Sequence, residues 1–196
     1  MGSLLATFSA ALEARDPYLR GHSARVTSLA EGLARSLGWR GEQLDGLRLG
    51  GTLHDVGKIA VTASVLCKPG PLTEEELAQI RTHPLAGARL IEAVLDFRPA
   101  LPYVLHHHER WDGGGYPHGL AAGEIPIEAR LLGVADAFDA MTSVRSYRPA
   151  LSVEQALDEL QRCAGSQFDP DVTETFVEGW RTGEIASAES PIGIAI

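Results

Sequence analysis

The sequence predicts an all-α domain, a bundle of about seven or eight helices. Three observations lead there. Apolar residues recur at intervals of three and four through most of the chain, the period of a helix face packed on a core. Alternation of period two holds nowhere for more than a few residues, so no substantial sheet is expected. Cap and stop residues stand at the ends of the apolar stripes, where helices must satisfy their terminal backbone groups.

Taken in order, Leu4, Leu5, Phe8, Ala11 and Leu12 give a first helix to about Arg15. Asp16-Pro17 ends it and can open the next, because proline is tolerated in a first turn. Val26, Leu29, Leu33 and Leu37 form the stripe of a second helix, closed by Gly38. His22 lies a heptad-like step before Leu29, so it faces inward. A third helix over 41–57 carries Leu44, Leu47, Leu49, Leu53 and Val56. Its C-terminal end delivers His54 and Asp55, and Gly57 stops it. Turn formers Lys68-Pro69-Gly70-Pro71 follow. Thr73 and Glu76 read as a capping box for a helix to about Arg81. His83-Pro84 opens another that runs through Leu95. Pro99 to Glu109 is a helix whose last turn is His106-His107-His108. Trp111 to Pro117 is a glycine-rich loop. Pro126 begins a long apolar helix to Met141, with Asp136 in its middle. Ser152 caps a helix through Leu160, and Asp169-Pro170 starts one to about Trp180. The chain thus divides into a leading helix (1–15), one domain (16–180) and a C-terminal tail (181–196), loose from 184 onward.

A chain of 196 residues with 44% hydrophobic content suits one sizeable domain. The net charge of -9 excludes a general nucleic-acid surface, duplex included. A phosphate ligand must therefore meet local positive charge. No apolar run reaches the roughly 18 residues of a membrane span, and the first residues lack the basic region of a signal peptide. Cys67 and Cys163 show no metal or redox spacing and read as reduced thiols of a cytoplasmic protein.

The chemistry concentrates around His54-Asp55-Val56-Gly57-Lys58. Of 7 histidines, all but His118 fall at His54, His22, His83 or the run 106–108. Imidazole and carboxylate suit a borderline divalent metal, and a lysine point charge suits a phosphate. On a helix His54 and Asp55 diverge by about 100°, a geometry that a metal pair satisfies if the carboxylate bridges. Asp136 needs a partner in its apolar helix, either a metal or an arginine such as Arg130. The donors His22, His54, Asp55, His83, His107, His108 and Asp136 include no thiolate, so iron, manganese or zinc-like ions fit. Two such ions can share a hydroxide and clamp a phosphate for in-line attack. Arg145 and Arg148 share a helix face. Arg145 lies about 13 Å beyond Asp136 along a continuing helix, which suits a substrate extending outward from the metals.

Further motifs join the pentapeptide: Leu66-Cys67-Lys68-Pro69-Gly70-Pro71-Leu72-Thr73, His83-Pro84, and His107-His108-Glu109-Arg110-Trp111-Asp112-Gly113-Gly114-Gly115-Tyr116-Pro117. Asp136-Ala137-Phe138-Asp139-Ala140-Met141-Thr142-Ser143 and Arg145-Ser146-Tyr147-Arg148-Pro149 complete the set. On these motifs, over roughly residues 16 to 176, the chain resembles the HD-GYP subgroup of the HD-domain metal phosphohydrolases. The resemblance implies an HD-domain bundle and hydrolysis of cyclic di-GMP to linear pGpG, and on to GMP, by a metal-activated hydroxide at a dinuclear site. It implies that His22, His54, Asp55 and Asp136 hold one metal, while Asp55 bridges to a second held by His83, His107 and His108. His106 precedes the family's histidine pair and receives no metal role.

Asp55 and Lys58 are the expected catalytic residues. Lys58, Arg145 and Arg148 are the expected phosphate contacts, with Tyr116 a wall or lid beside the guanine. Some members hold a third metal through a glutamate four residues before the first histidine. Tyr18 stands there, so two divalent transition-metal ions are expected, iron or manganese. The expected partners are cyclic di-GMP, a diguanylate-cyclase-type protein meeting the Gly-Tyr-Pro loop, and a second copy in a homodimer. Family members usually carry a receiver or sensor domain, so the expectation is a stand-alone enzyme or a separate catalytic domain. Two alternatives remain open: an HD phosphohydrolase on another cyclic dinucleotide, and a non-catalytic cyclic di-GMP receptor or partner-binding module.

Overall fold

A computed structural model describes residues 21–144 and 149–186. The predicted first helix, Asp16-Pro17, Tyr18, Arg145, Arg148 and positions 187–196 lie outside the described residues. Among the described residues, nine α-helical segments follow in order: α1 (His22–Ser36), α2 (Glu42–Leu53), α3 (Ala63–Leu66, a single turn), α4 (Glu74–Ile80), α5 (His83–Glu92), α6 (Leu101–His106), α7 (Ile127–Thr142), α8 (Val153–Cys163) and α9 (Pro170–Thr182). Short 3-10 turns occupy Val56–Ala60, Leu95–Ala100 and Ala122–Glu124. Among the described residues, β pairing is limited to isolated bridges, Asp112 with Ala121 and Ala164 with Phe168. The fold is all-α, as the periodicity predicts.

The helix ends follow local chemistry. The Thr73 hydroxyl accepts from the Glu76 backbone N–H at 3.3 Å, and the Glu76 carboxylate accepts from the Thr73 N–H at 2.8 Å. Ser152 and Gln155 form the same reciprocal box at the start of α8, and Asp169 accepts from Asp171 and Val172 N–H at the start of α9. Each such cap is worth about 1 kcal/mol. Gly38 adopts φ 85 just past α1, where a left-handed residue closes the helix at least cost in glycine.

Packing places the site. The stripe Val26, Leu29, Ala30, Leu33 and Ala34 of α1 is buried against Leu44 and Leu47 of α2 and Leu131, Leu132, Val134, Ala135 and Phe138 of α7. Ala156, Leu157, Leu160, Val172, Phe176 and Val177 extend this core into α8 and α9. A second core joins Leu53, Val56, Ile91, Phe97, Ala100 and Val104. Full burial of each such aliphatic side chain contributes about 1.5–3 kcal/mol. The two cores hold α1, α2, α5, α6 and α7 around one cleft.

Four expectations change. The helix that carries Asp136 ends at Thr142 with Ser143 extended, so it does not continue to Arg145. The third helix ends at Leu53, with His54 as its cap and Asp55 outside it; Val56–Ala60 is a 3-10 turn. Gly57 is therefore no helix stop. It is buried where an added Cβ would strike the His83 carbonyl and the Gly87 backbone nitrogen, so the turn can lie against α5 only with glycine there. The predicted helix over Pro99 to Glu109 divides into a 3-10 turn and α6, and His107 and His108 lie just past its end. Ile185, assigned to the loose tail, is 2% exposed and sits against Gly32 and Gly179.

Candidate metal centre and active site

Asp55 is the hub. Leaving α2 at Leu53 turns its carboxylate into the cleft, 3% exposed. One oxygen faces one set of imidazoles: Asp55 Oδ2 is 3.4 Å from His54 Nε2 and 3.9 Å from His22 Nε2. The other faces a second set: Asp55 Oδ1 is 3.4 Å from His83 Nε2 and 4.0 Å from His107 Nε2. His22 Nε2 also lies 3.3 Å from Asp136 Oδ1. Donor atoms of His22, His54 and Asp136 fall within 4.8 Å of one another, and so do those of Asp55, His83, His107 and His108. All seven sequence-predicted ligands are brought to one cleft, divided between two groups that meet at Asp55.

The ring nitrogens turned away from the cleft are fixed by the backbone. His54 Nδ1–H donates to the Gly51 carbonyl at 2.8 Å, His83 Nδ1–H to that of Ile80 at 2.8 Å, and His107 Nδ1–H to that of Tyr103 at 2.9 Å. A carbonyl only accepts, so in each ring Nδ1 carries a proton, and in the neutral rings of His83 and His107 Nε2 carries the lone pair. His22 Nδ1–H donates instead to Asp139 Oδ2 at 2.8 Å. Two consequences point to a cation. His83 Nε2 and His107 Nε2 stand 3.2 Å apart with two lone pairs facing each other, and His54 Nε2 is buried with no hydrogen-bond partner. A metal at each group supplies what these nitrogens lack, and outer hydrogen bonds of this kind orient metal-bound histidines. The donor set therefore fits divalent transition-metal ions.

The electrostatics agree. Burial, then the neighbouring His83, pulls His108 down to about 3. Burial and the adjacent imidazoles hold His107 well below the ordinary histidine value, and burial lowers His83. These rings stay neutral and ready to ligate. His22 moves the other way: burial lowers it, but hydrogen bonds to Asp136 and Asp139 raise it to about 9. Burial alone would raise Asp55, but Lys58 and His54 hold it well below the carboxylate range; His22 does the same for Asp136 against its own burial.

Lys58 Nζ donates to Asp55 Oδ2 at 2.6 Å and lines the cleft. Tyr116 stacks on His108, ring centroids 4.9 Å apart, and the Arg81 guanidinium lies 5.8 Å from its ring centroid. Gly115 lets this loop fold back, because a Cβ there would strike Arg110 N and Glu109 Cα. The cleft measures about 570 Å³, within the usual range for a small-molecule site. Arg130, the alternative partner for Asp136, instead donates to Asp169 at 2.8 Å.

Sequence reasoning missed Asp139 and Arg25. Arg25 Nε donates to Asp139 Oδ1 at 2.6 Å and Arg25 Nη2 to Asp139 Oδ2 at 3.0 Å. This fork holds the carboxylate that orients His22. The signal was available: Asp139 follows Asp136 by three residues, and Arg25 follows His22 by three, so each pair shares a helix face.

A sequence model of the HD domain, HD_5, matches residues 6–172. The chain is similar to the cyclic di-GMP phosphodiesterase response regulator RpfG of Xanthomonas campestris pv. campestris, 38% identical over 177 residues, covering 89% of this chain and 47% of that protein. It is also similar to the 3'3'-cGAMP-specific phosphodiesterase 2 of Vibrio cholerae, 36% identical over 172 residues, covering 87% of this chain and 33% of that protein. The chain thus spans less than half the length of these relatives. Among solved structures, Bd1817, an HDG"Y"P protein from Bdellovibrio bacteriovorus, shares the fold with a TM-score of 0.66 and 21% identity, over 82% of this chain and 51% of that one. No helix among the described residues is long and apolar enough to cross a membrane.

Proposed function

We propose, from the premise that this chain belongs to the HD-domain family and to its HD-GYP branch, that it is a metal-dependent phosphodiesterase acting on cyclic di-GMP. The observation that carries the reading is the division of Asp55: each carboxylate oxygen faces its own set of histidines inside one cleft. In this reading His22, His54, Asp55 and Asp136 hold one ion, and Asp55, His83, His107 and His108 hold the other. The nitrogen and oxygen donors suit iron or manganese. Bound there, the ion pair supplies Lewis-acid polarisation of a phosphate and acidifies a water.

The chain's own residues do the rest. Asp55, buried and fixed between the two sets, keeps them in register. Lys58 brings an ammonium to a non-bridging phosphate oxygen, the charge-assisted contact that gains strength as negative charge develops. Tyr116, held between His108 and Arg81, walls the cleft beside a guanine. Arg145 and Arg148 are assigned to the remaining phosphate or a guanine edge, which a guanidinium can take with two hydrogen bonds. Opening the ring gives linear pGpG, and a second cleavage gives GMP. Cys67 and Cys163 form no disulfide, which supports a cytoplasmic setting. The solvent-facing Asp112, Gly114 and His118 of the Gly-Tyr-Pro loop support its assignment as the contact for a diguanylate-cyclase-type partner; a homodimer belongs to the same reading.

A second reading, another cyclic dinucleotide, is favoured by the likeness to a relative named for 3'3'-cGAMP. One assay separates the cases: incubate metal-loaded protein with each dinucleotide and resolve the products by chromatography. Linear product formed faster from cyclic di-GMP is expected. Preference for 3'3'-cGAMP transfers the proposal to the second reading. Tight binding of cyclic di-GMP without product from either would make the protein a receptor and overturn both.

A further inference from the structure

A third cluster of ligating side chains shares no residue with the two candidate metal groups, although its Glu109 borders the cleft. His106 ends α6, Glu109 follows three residues on, and His118 comes from the far side of the Gly-Tyr-Pro loop. Their donor atoms fall within 4.8 Å of one another. The Glu109 side chain is 0% exposed, and its two oxygens accept from the backbone N–H groups of His118 at 2.8 Å and Leu120 at 3.1 Å. Two neutral donors do not discharge a buried carboxylate. Among the described residues, the side-chain bases beside it are the two imidazoles, His106 Nδ1 at 3.8 Å and His118 Nδ1 at 4.0 Å.

These distances are too long for hydrogen bonds. Among the described residues, the buried His106 Nδ1 has no hydrogen-bond partner. A histidine–carboxylate ion pair would close to hydrogen-bonding distance; this cluster has not. The spacing is closer to what an ion requires: donors on a tetrahedral cation with bonds of 2.0–2.1 Å are separated by about 3.4 Å. Both imidazoles stand about half an ångström too far from Glu109 for that spacing, and the half-exposed His118 side chain can move inward. Solvent can reach a fourth position on the His118 side.

We propose that His106, Glu109 and His118 form a second, separate site for a late first-row divalent cation such as zinc, which pins the root of the Gly-Tyr-Pro loop. Two nitrogens and one carboxylate oxygen favour such an ion over magnesium or calcium, which prefer all-oxygen shells. His107, next in sequence, points the other way, with its Nδ1 on the Tyr103 carbonyl and its Nε2 toward Asp55. The consequence lies in the loop. Glu109 and His118 flank Tyr116, which stacks on His108, so the ion ties the loop's two ends together beside the catalytic cleft. The inference does not depend on the phosphodiesterase reading.

The test is zinc stoichiometry by equilibrium dialysis and elemental analysis on the full chain, comparing wild type, His118→Ala and His118→Cys, with far-UV circular dichroism to verify folding. Because the His118 side chain is half-exposed and outside both hydrophobic cores, its replacement leaves the core intact. His118→Ala should bind one zinc ion fewer per chain than wild type, and His118→Cys, which restores a ligand, should regain it. Cobalt substitution should show the same loss and recovery in its visible absorption. Equal zinc content in wild type and His118→Ala, or failure of the cysteine to recover the ion, overturns the site.

Discussion

The Asp139 carboxylate takes the Nδ1 proton of His22 and a forked pair of hydrogen bonds from Arg25. Its partners hold it below the ordinary carboxylate range despite burial, so it stays charged and keeps His22 Nε2 aimed at Asp55 and Asp136. Asp139→Ala should weaken metal binding by ~10–100-fold, the usual cost of losing such an outer partner. Unchanged affinity by competition with a chelator would leave Asp139 a structural ion pair only. Lys58→Ala separates the other two roles at this scale: metal content should persist, while the rate on cyclic di-GMP falls by ~10²–10³-fold, as for the loss of one charge-stabilising donor. Loss of metal would instead make Lys58 a support for Asp55. His54, His83, His107 and His108 were legible in the sequence because each sits in a local motif, whereas His22 was placed by its step to Leu29 and by the family resemblance. Asp139 was not singled out, because a carboxylate three residues from another reads as one more helical acid until Arg25 is seen opposite it. His118 carried no local motif, and only the fold brings it to Glu109.

At the scale of elements, the helix pattern found each later helix except the single turn Ala63–Leu66, but misplaced the ends nearest the site. Leu53 and Val56 are both buried, so the apolar stripe runs on past the point where α2 stops. What stops it is contact with α5, on which Gly57 rests. Gly57→Ala should therefore destabilise the fold by about 1–3 kcal/mol, the typical cost of an overpacked contact, seen as a lower denaturant midpoint with an unchanged slope. It should also reduce metal content, because the shift separates Asp55 from His83. Stability equal to wild type would show that the turn has room to spare. The C-terminal end failed for the opposite reason: one apolar residue, Ile185, makes no periodic pattern, yet it fills space beside Gly32 and Gly179. Ile185→Ala should cost about 2–5 kcal/mol, read as a lower melting temperature; a change under 1 kcal/mol would return the segment to the tail.

For the whole molecule, the metal-free state should show a stability maximum near neutral pH. The His22 value rises from 6.5 to about 9, so its contribution is full below 6.5 and is lost as pH climbs through 9. His108 falls from 6.5 to about 3, with His83 and His107 lowered too. Their unfolded forms take protons first, so stability is lost as pH drops from 6.5 toward 3. Each group changes stability by at most about 1.4 kcal/mol per pH unit. Calorimetry of the metal-stripped chain should thus find the melting temperature highest between these limits and falling on both sides; a steady rise from pH 5 to 9 would contradict it. The proposed function rests on one arrangement, two cation sites sharing Asp55. Anomalous diffraction from crystals of the iron- or manganese-loaded protein tests that directly. The arrangement predicts two peaks roughly 3.5–4 Å apart, one beside His22, His54 and Asp136 and one beside His83, His107 and His108, with Asp55 between them. A single peak, or two peaks not joined by Asp55, would contradict it.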